Sequence, residues 1–153
     1  MSNERYELEL ESDAIIFEFT SIGPKGRIPK LVMYSKTSNT DVYNLAFGDK
    51  NIDTGGIDDL SVTDNKDSQK VLATVAFTVF TFVSKYPNAW INATGSTKAR
   101  TRLYQMGISN NLEDILANFV VFGKQEGKWY QFEKNTEYEA FLITLKRNVK
   151  WKI

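Results

Sequence analysis

The stretch Thr94-Gly95-Ser96-Thr97-Lys98-Ala99-Arg100-Thr101-Arg102-Leu103-Tyr104 gathers the residue types best suited to holding an anion. It reads as a strand that runs out into a glycine turn and re-enters as a basic helix over residues 97–106. A helix N-terminus leaves backbone N–H groups without intrahelical partners and carries partial positive charge, so it favours anions. Lys98, Arg100 and Arg102 add three cations within the first two turns, where helix electrostatics alone favours Asp or Glu. Arginine suits phosphate because its planar fork donates two parallel hydrogen bonds. Gly95 permits close backbone approach, and Ser96 or Thr97 supplies a hydroxyl that caps the helix or bonds an oxyanion. The candidate ligand-binding set is therefore Gly95, Ser96, Thr97, Lys98, Arg100, Arg102 and Tyr104.

The competing reading is a capped surface helix whose arginines pair with acids such as Glu7, Glu9 or Glu18. Helical spacing places Ala99, Leu103 and Met106 on a core-facing stripe, flanked by Lys98, Arg102 and Gln105 and by Thr97, Arg100 and Tyr104. Gly107 is the expected C-cap. The segment is no P-loop, which needs two glycines at fixed spacing before Lys-Ser/Thr. A single Gly95 is no dinucleotide fingerprint either.

The run Thr-Gly-Ser-Thr-x-Ala-Arg-Thr-Arg-Leu-Tyr-x-Met, residues 94–106, resembles the signature of a small uncharacterised bacterial family, a domain of unknown function. The resemblance implies a whole-chain domain of similar length with a meander-like start and an aromatic C-terminal half. It implies no mechanism.

The chain contains no histidine and no cysteine among its 153 residues. Ser–His and Cys–His nucleophiles, histidine- or thiolate-ligated metals and disulfides are thereby excluded. Any catalysis would use carboxylates, Lys, Tyr, Ser or Thr. The polar stretch over residues 48–66 carries Asp53, Asp58, Asp59 and Asp64, oxygen donors of the kind Mg²⁺ and Ca²⁺ favour. Their spacing matches no calcium loop and aspartate is an ordinary turn residue, so no metal and no cofactor is expected. Tyr104, Trp129, Tyr130 and Trp151 lie near basic residues, a pattern that stacks on unpaired bases; core or cross-strand packing is the favoured reading.

These residues need elements to position them. Alternation predicts strands from Tyr6 to Glu11, Ala14 to Ser21, Ile28 to Lys36 and Val42 to Phe47. Turns at Gly23–Gly26 and Ser38–Asp41 separate the later ones, which gives an antiparallel meander. Asp67 or Ser68 starts a long helix to about Tyr86. Val75, Val79 and Phe82 are its core, while Thr74, Thr78, Thr81 and Lys85 form one weakly polar stripe. A strand from Ala89 to Thr94 precedes the basic helix, and a short helix opens at Asn111. Phe119–Phe122 and Trp129–Phe132 read as a hairpin. Tyr138, Phe141, Leu142 and Leu145 predict a last helix over residues 136–148.

The fold expected is α+β: a mostly antiparallel sheet carrying one long buried helix and two to three shorter ones, in one domain spanning residues 1–153. The start of the chain lacks a signal-peptide pattern, and the apolar run Val71–Val83 is too short to span a bilayer, so a cytoplasmic protein away from membranes is expected. Net charge is zero but uneven: residues 1–67 hold 13 acids and 7 bases, the remainder 6 acids and 12 bases. That asymmetry fits either an anionic partner or two halves that meet electrostatically. The leading functional expectation is a non-enzymatic binding module for a phosphate-bearing ligand, nucleic acid first. The alternatives are a protein-interaction domain, as a homodimer with structural arginines, and an enzyme acting on a phosphorylated substrate.

Overall fold

The computed structural model describes residues 4–6, 9–10, 15–58 and 63–150. Among these residues, eight strands form one sheet: β1 (Glu9–Leu10), β2 (Ile16–Gly23), β3 (Gly26–Lys36), β4 (Val42–Asp49), β5 (Trp90–Ala93), β6 (Phe119–Gln125), β7 (Lys128–Gln131) and β8 (Ala140–Leu145). Three helices complete it, α1 (Ser68–Lys85), α2 (Lys98–Asn110) and α3 (Leu112–Leu116), with a 3₁₀ turn at Lys146–Asn148. The strand order is β1-β2-β3-β4-β5-β8-β6-β7, and the fold is α+β as expected. Among the described residues only β4 and β5 run parallel. A parallel pair requires a long crossover, and residues 50–89, with α1 among them, provide it.

The meander forms where the turn chemistry places it. Gly26, at φ 91°, closes the β2–β3 hairpin in a conformation that L side chains resist. Glu126 and Gly127, both at positive φ, do the same for β6–β7. Alternation then directs Phe17, Phe19, Val32, Tyr34, Leu45 and Phe47 to one face, where they are buried. That face receives α1: the Tyr34 and Phe82 rings stack 4.1 Å apart, and Phe80 meets Phe119 edge-on.

Val75, Val79 and Phe82 are 7%, 8% and 1% exposed, and Lys85 reaches solvent. The threonine stripe faces inward, with Thr74 and Thr78 fully buried. Thr78 donates to the Val75 carbonyl at 2.6 Å, so its oxygen accepts from the Tyr34 hydroxyl at 2.6 Å. A threonine that bonds back into its own helix costs little to bury. Asp67 occupies the N-cap position of α1 without capping it. Its carboxylate accepts from Tyr6 and Ser21.

Three local expectations are corrected. Residues 136–148 contain strand β8 and a 3₁₀ turn, and no α-helix. Phe141, Leu142 and Leu145 have helical spacing, but in this strand, set between β5 and β6, the outward positions Ala140, Leu142 and Thr144 carry no charge, which erases the period-2 signal. Gly107 does not end the basic helix: α2 runs through it to Asn110, and Gly107 faces Leu72 of α1, where a Cβ would stand at an ordinary contact distance of 3.5 Å. The buried face of α2 is Arg100, Thr101, Tyr104, Gly107 and Ile108, while Ala99 and Met106 are exposed. α1 meets Gly107 on that side and β4 meets Tyr104, so the helix turns its small and amphipathic residues towards them.

Residues 7, 8 and 11 of the first expected strand, Ala14 of the second, Asp59 of the acidic stretch and Trp151 lie outside the described residues. No helix among those described is long and apolar enough to cross a membrane.

Candidate ligand groove at the start of α2

The chain leaves β5 at Ala93 and turns at Thr94–Ser96 into α2. Thr97 is the N-cap, its hydroxyl accepting from the Arg100 N–H at 3.2 Å. The Gly95 N–H donates to the Thr101 hydroxyl at 3.2 Å, folding the strand exit back onto the first helical turn. A Cβ on Gly95 would lie 2.4 Å from the Thr101 nitrogen and 2.5 Å from the Arg100 Cβ, so only glycine fits. The expected close backbone approach is present.

This turn forms one wall of an open groove of about 730 Å³. Gly95, Ser96, Thr97, Lys98 and Arg102 line it, which brings together five of the seven nominated residues. Lys98 and Arg102 are exposed and have no ion-pair partner among the described residues.

Arg100 and Tyr104 turn the other way. Arg100 is 8% exposed, and its guanidinium donates to the carbonyl of Asp58, a residue whose N–H bonds the Asp49 carbonyl at the end of β4. The buried Tyr104 hydroxyl accepts from the Phe47 N–H at 3.1 Å. Burial raises the Tyr104 phenol above its ordinary value, with the Phe47 N–H and the Arg100 charge offsetting part of the rise. Both side chains anchor α2 to the sheet. They lie one turn apart on the same inward face.

The facing wall went unread in the sequence. Gln125 and Glu126 come from the end of β6, Tyr130 from β7, and Glu137, Tyr138 and Glu139 from the approach to β8. The Gln105 side chain donates to the Thr136 carbonyl and ties α2 to this wall. The Glu139 carboxylate accepts from the Glu126 N–H at 2.8 Å. Tyr138 lies flat on Gly123, where a Cβ would come within 2.3 Å of the ring. The β6–β7 turn was legible and could have signalled Glu126. Glu137 and Glu139 could not be placed while their segment read as helix. The groove is therefore bipolar, with cations and the helix N-terminus on one side and three glutamates on the other.

The acidic stretch resolves differently. No group of three or more acidic side chains positioned for a metal ion exists among the described residues. Asp49 instead pairs with Lys30, which is 1% exposed and also donates to the Thr63 carbonyl at 2.9 Å. Burial alone would raise the Asp49 carboxyl. Hydrogen bonds from Lys30 and Thr63 and the Lys30 charge outweigh that and hold it below its ordinary value. Lys50 pairs with Glu18 at 2.9 Å, within the acidic half, and Lys70 with Glu4 at 3.1 Å, between the halves.

No curated protein and no solved structure matches the chain. The profile of the family of unknown function DUF6934 matches residues 2–146, and the chain belongs to that family.

Proposed function

We propose that this protein is a binding module whose groove takes a small ligand with one phosphate-type anionic group and an ammonium or other donor group beside it. The carrying observation is the bipolar lining: Gly95–Lys98 and Arg102 face Glu126, Glu137 and Glu139 across a single opening. The anionic group would sit at the α2 N-terminus, where helix dipole and exposed cations act together. The glutamates would receive the donor group. A nucleic-acid backbone laid along the groove would meet those carboxylates, so the geometry favours a small phosphate-bearing ligand over a polyanion.

Calorimetry with inorganic phosphate and with phosphoethanolamine tests this reading. Phosphoethanolamine should bind saturably and more tightly than phosphate, and the pair Lys98→Gln with Arg102→Gln should abolish both heats. Equal affinity for the two probes would remove the role given to the glutamates. Absence of binding at millimolar ligand would remove the proposal.

The protein-interaction reading keeps one observation in its favour, because Arg100 is structural. Sedimentation across a concentration series tests it. A stable dimer that excludes phosphoethanolamine would place it first.

A further inference from the structure

The side of the sheet away from α1 carries a second set of chemistry. The register pairs Asn44 with Asn92, Asn92 with Leu142, Leu142 with Phe122, and Lys124 with Trp129. Residues directly opposite one another share a face, so these side chains form one outward surface across β4, β5, β8, β6 and β7. Tyr43, Leu45, Ile91, Phe141 and Val121, between them in sequence, point to the core.

Three aromatic rings stand on this surface. Trp90 and Phe122 lie nearly parallel, 18° apart in plane, with centroids separated by 6.4 Å. Trp129 is 41% exposed, and the Lys124 ammonium sits 5.7 Å from its ring centroid. Side-chain amides share this face. Asn92 donates to Asn44 at 3.0 Å, at an exposed position, and Gln131 follows on β7. Asn92 also donates to the Thr94 hydroxyl at 3.4 Å, so what the pair keeps for a ligand is the N–H₂ of Asn44 and the acceptor sites of the two amide oxygens. From β4 to β7 the outward positions carry no carboxylate.

We propose that this face is a platform for single-stranded nucleic acid, a surface distinct from the ligand groove. Unpaired bases stack on exposed aromatic rings of a sheet and offer their edges to amide groups. Trp90, Phe122 and Trp129 provide the rings; Asn44, Asn92 and Gln131 provide the amides. Lys124 provides a phosphate contact. The charge pattern selects this occupant: a phosphodiester chain meets a cation and no carboxylate here, unlike in the groove. A second copy of the chain fits less well, because a sheet-on-sheet dimer would bury the Asn44–Asn92 pair and the Lys124 charge.

Fluorescence anisotropy of a short labelled oligothymidylate, with tryptophan quenching on the same samples, tests the proposal on the full chain. Trp129→Ala should weaken binding by about tenfold, the loss of one stacked base, while Trp129→Phe should retain most of it. Lys98→Gln with Arg102→Gln should bind as the natural protein does. Salt dependence should be shallow, as few phosphates are neutralised. Absence of oligonucleotide binding overturns the proposal, as does binding that ignores Trp129→Ala. Binding lost in the Lys98/Arg102 pair would put the strand in the groove and also overturn it. Self-association abolished by Trp129→Ala, without oligonucleotide binding, would assign the face to a dimer.

Discussion

The Gly95 amide and the Thr101 hydroxyl, 3.2 Å apart, join the exit of β5 to the first turn of α2. No side chain fits between them, since a Cβ on Gly95 would lie 2.4 Å from the Thr101 nitrogen. Gly95→Val must therefore push the strand exit off the helix. The expected cost is about 2–3 kcal/mol, read as a lowered urea midpoint, with phosphoethanolamine affinity lost in the fraction that folds. An unchanged midpoint would mean that the junction relaxes freely.

The two arginines of α2 should respond oppositely to the same substitution. Arg100→Gln removes a buried donor to the Asp58 carbonyl and should destabilise by roughly 1–3 kcal/mol. Arg102→Gln changes an exposed side chain and should shift stability by no more than about 0.5 kcal/mol, while weakening the binding of phosphoethanolamine. Thermal melts with and without that ligand separate the two effects.

Val79 lies in the buried face of α1, and Val79→Asp would place an unpaired charge there. A loss of several kcal/mol, about enough to unfold a domain of ordinary stability, is expected. Circular dichroism and a melt would show it. A near-native melting temperature would contradict the packing of α1 on the sheet.

The Lys30–Asp49 pair predicts the shape of the acid limb. The folded Asp49 carboxyl is held below its ordinary value, so the unfolded chain binds the extra proton first as pH falls. The pair's stabilisation is complete above the ordinary carboxylate range and is lost as pH drops from about 5 through the lower folded value. Asp49→Asn removes that titration and leaves the Lys30 ammonium buried without its counter-charge. It should cost roughly 3–5 kcal/mol at neutral pH and flatten the acid limb. Thr63→Val, which deletes one hydroxyl donor to Asp49, is the gentler variant and should shift the acid midpoint upward.

Wherever one face of an element meets a core and the other meets water or a turn, local pattern was enough. The meander from β2 to β4, the β6–β7 hairpin and the start of α1 at Ser68 follow from alternation, glycine turns and the 3.6-residue period. The cation-rich start of α2 and the capping by Thr97 were likewise legible. β8 was not, because its outward positions Ala140, Leu142 and Thr144 carry no charge, which removes the contrast that periodicity depends on.

What the sequence by itself determined, then, is the set of elements with contrasting faces and a glycine-led basic helix able to hold an anion. The tertiary structure alone decided how that helix rotates, and so that Arg100 and Tyr104 become anchors while Lys98 and Arg102 remain in the groove. It also decided that Glu126, Glu137 and Glu139 face them, and that Lys30 and Asp49 meet at one register position across β3 and β4. Helical rotation and strand register are set by the partner surface, and the partners here, Leu72 for α2 and the β5–β8–β6 pairing for the glutamate wall, are distant along the chain. A local pattern states which side chains share a face; which neighbour that face meets is settled by packing free energy summed over the whole sheet.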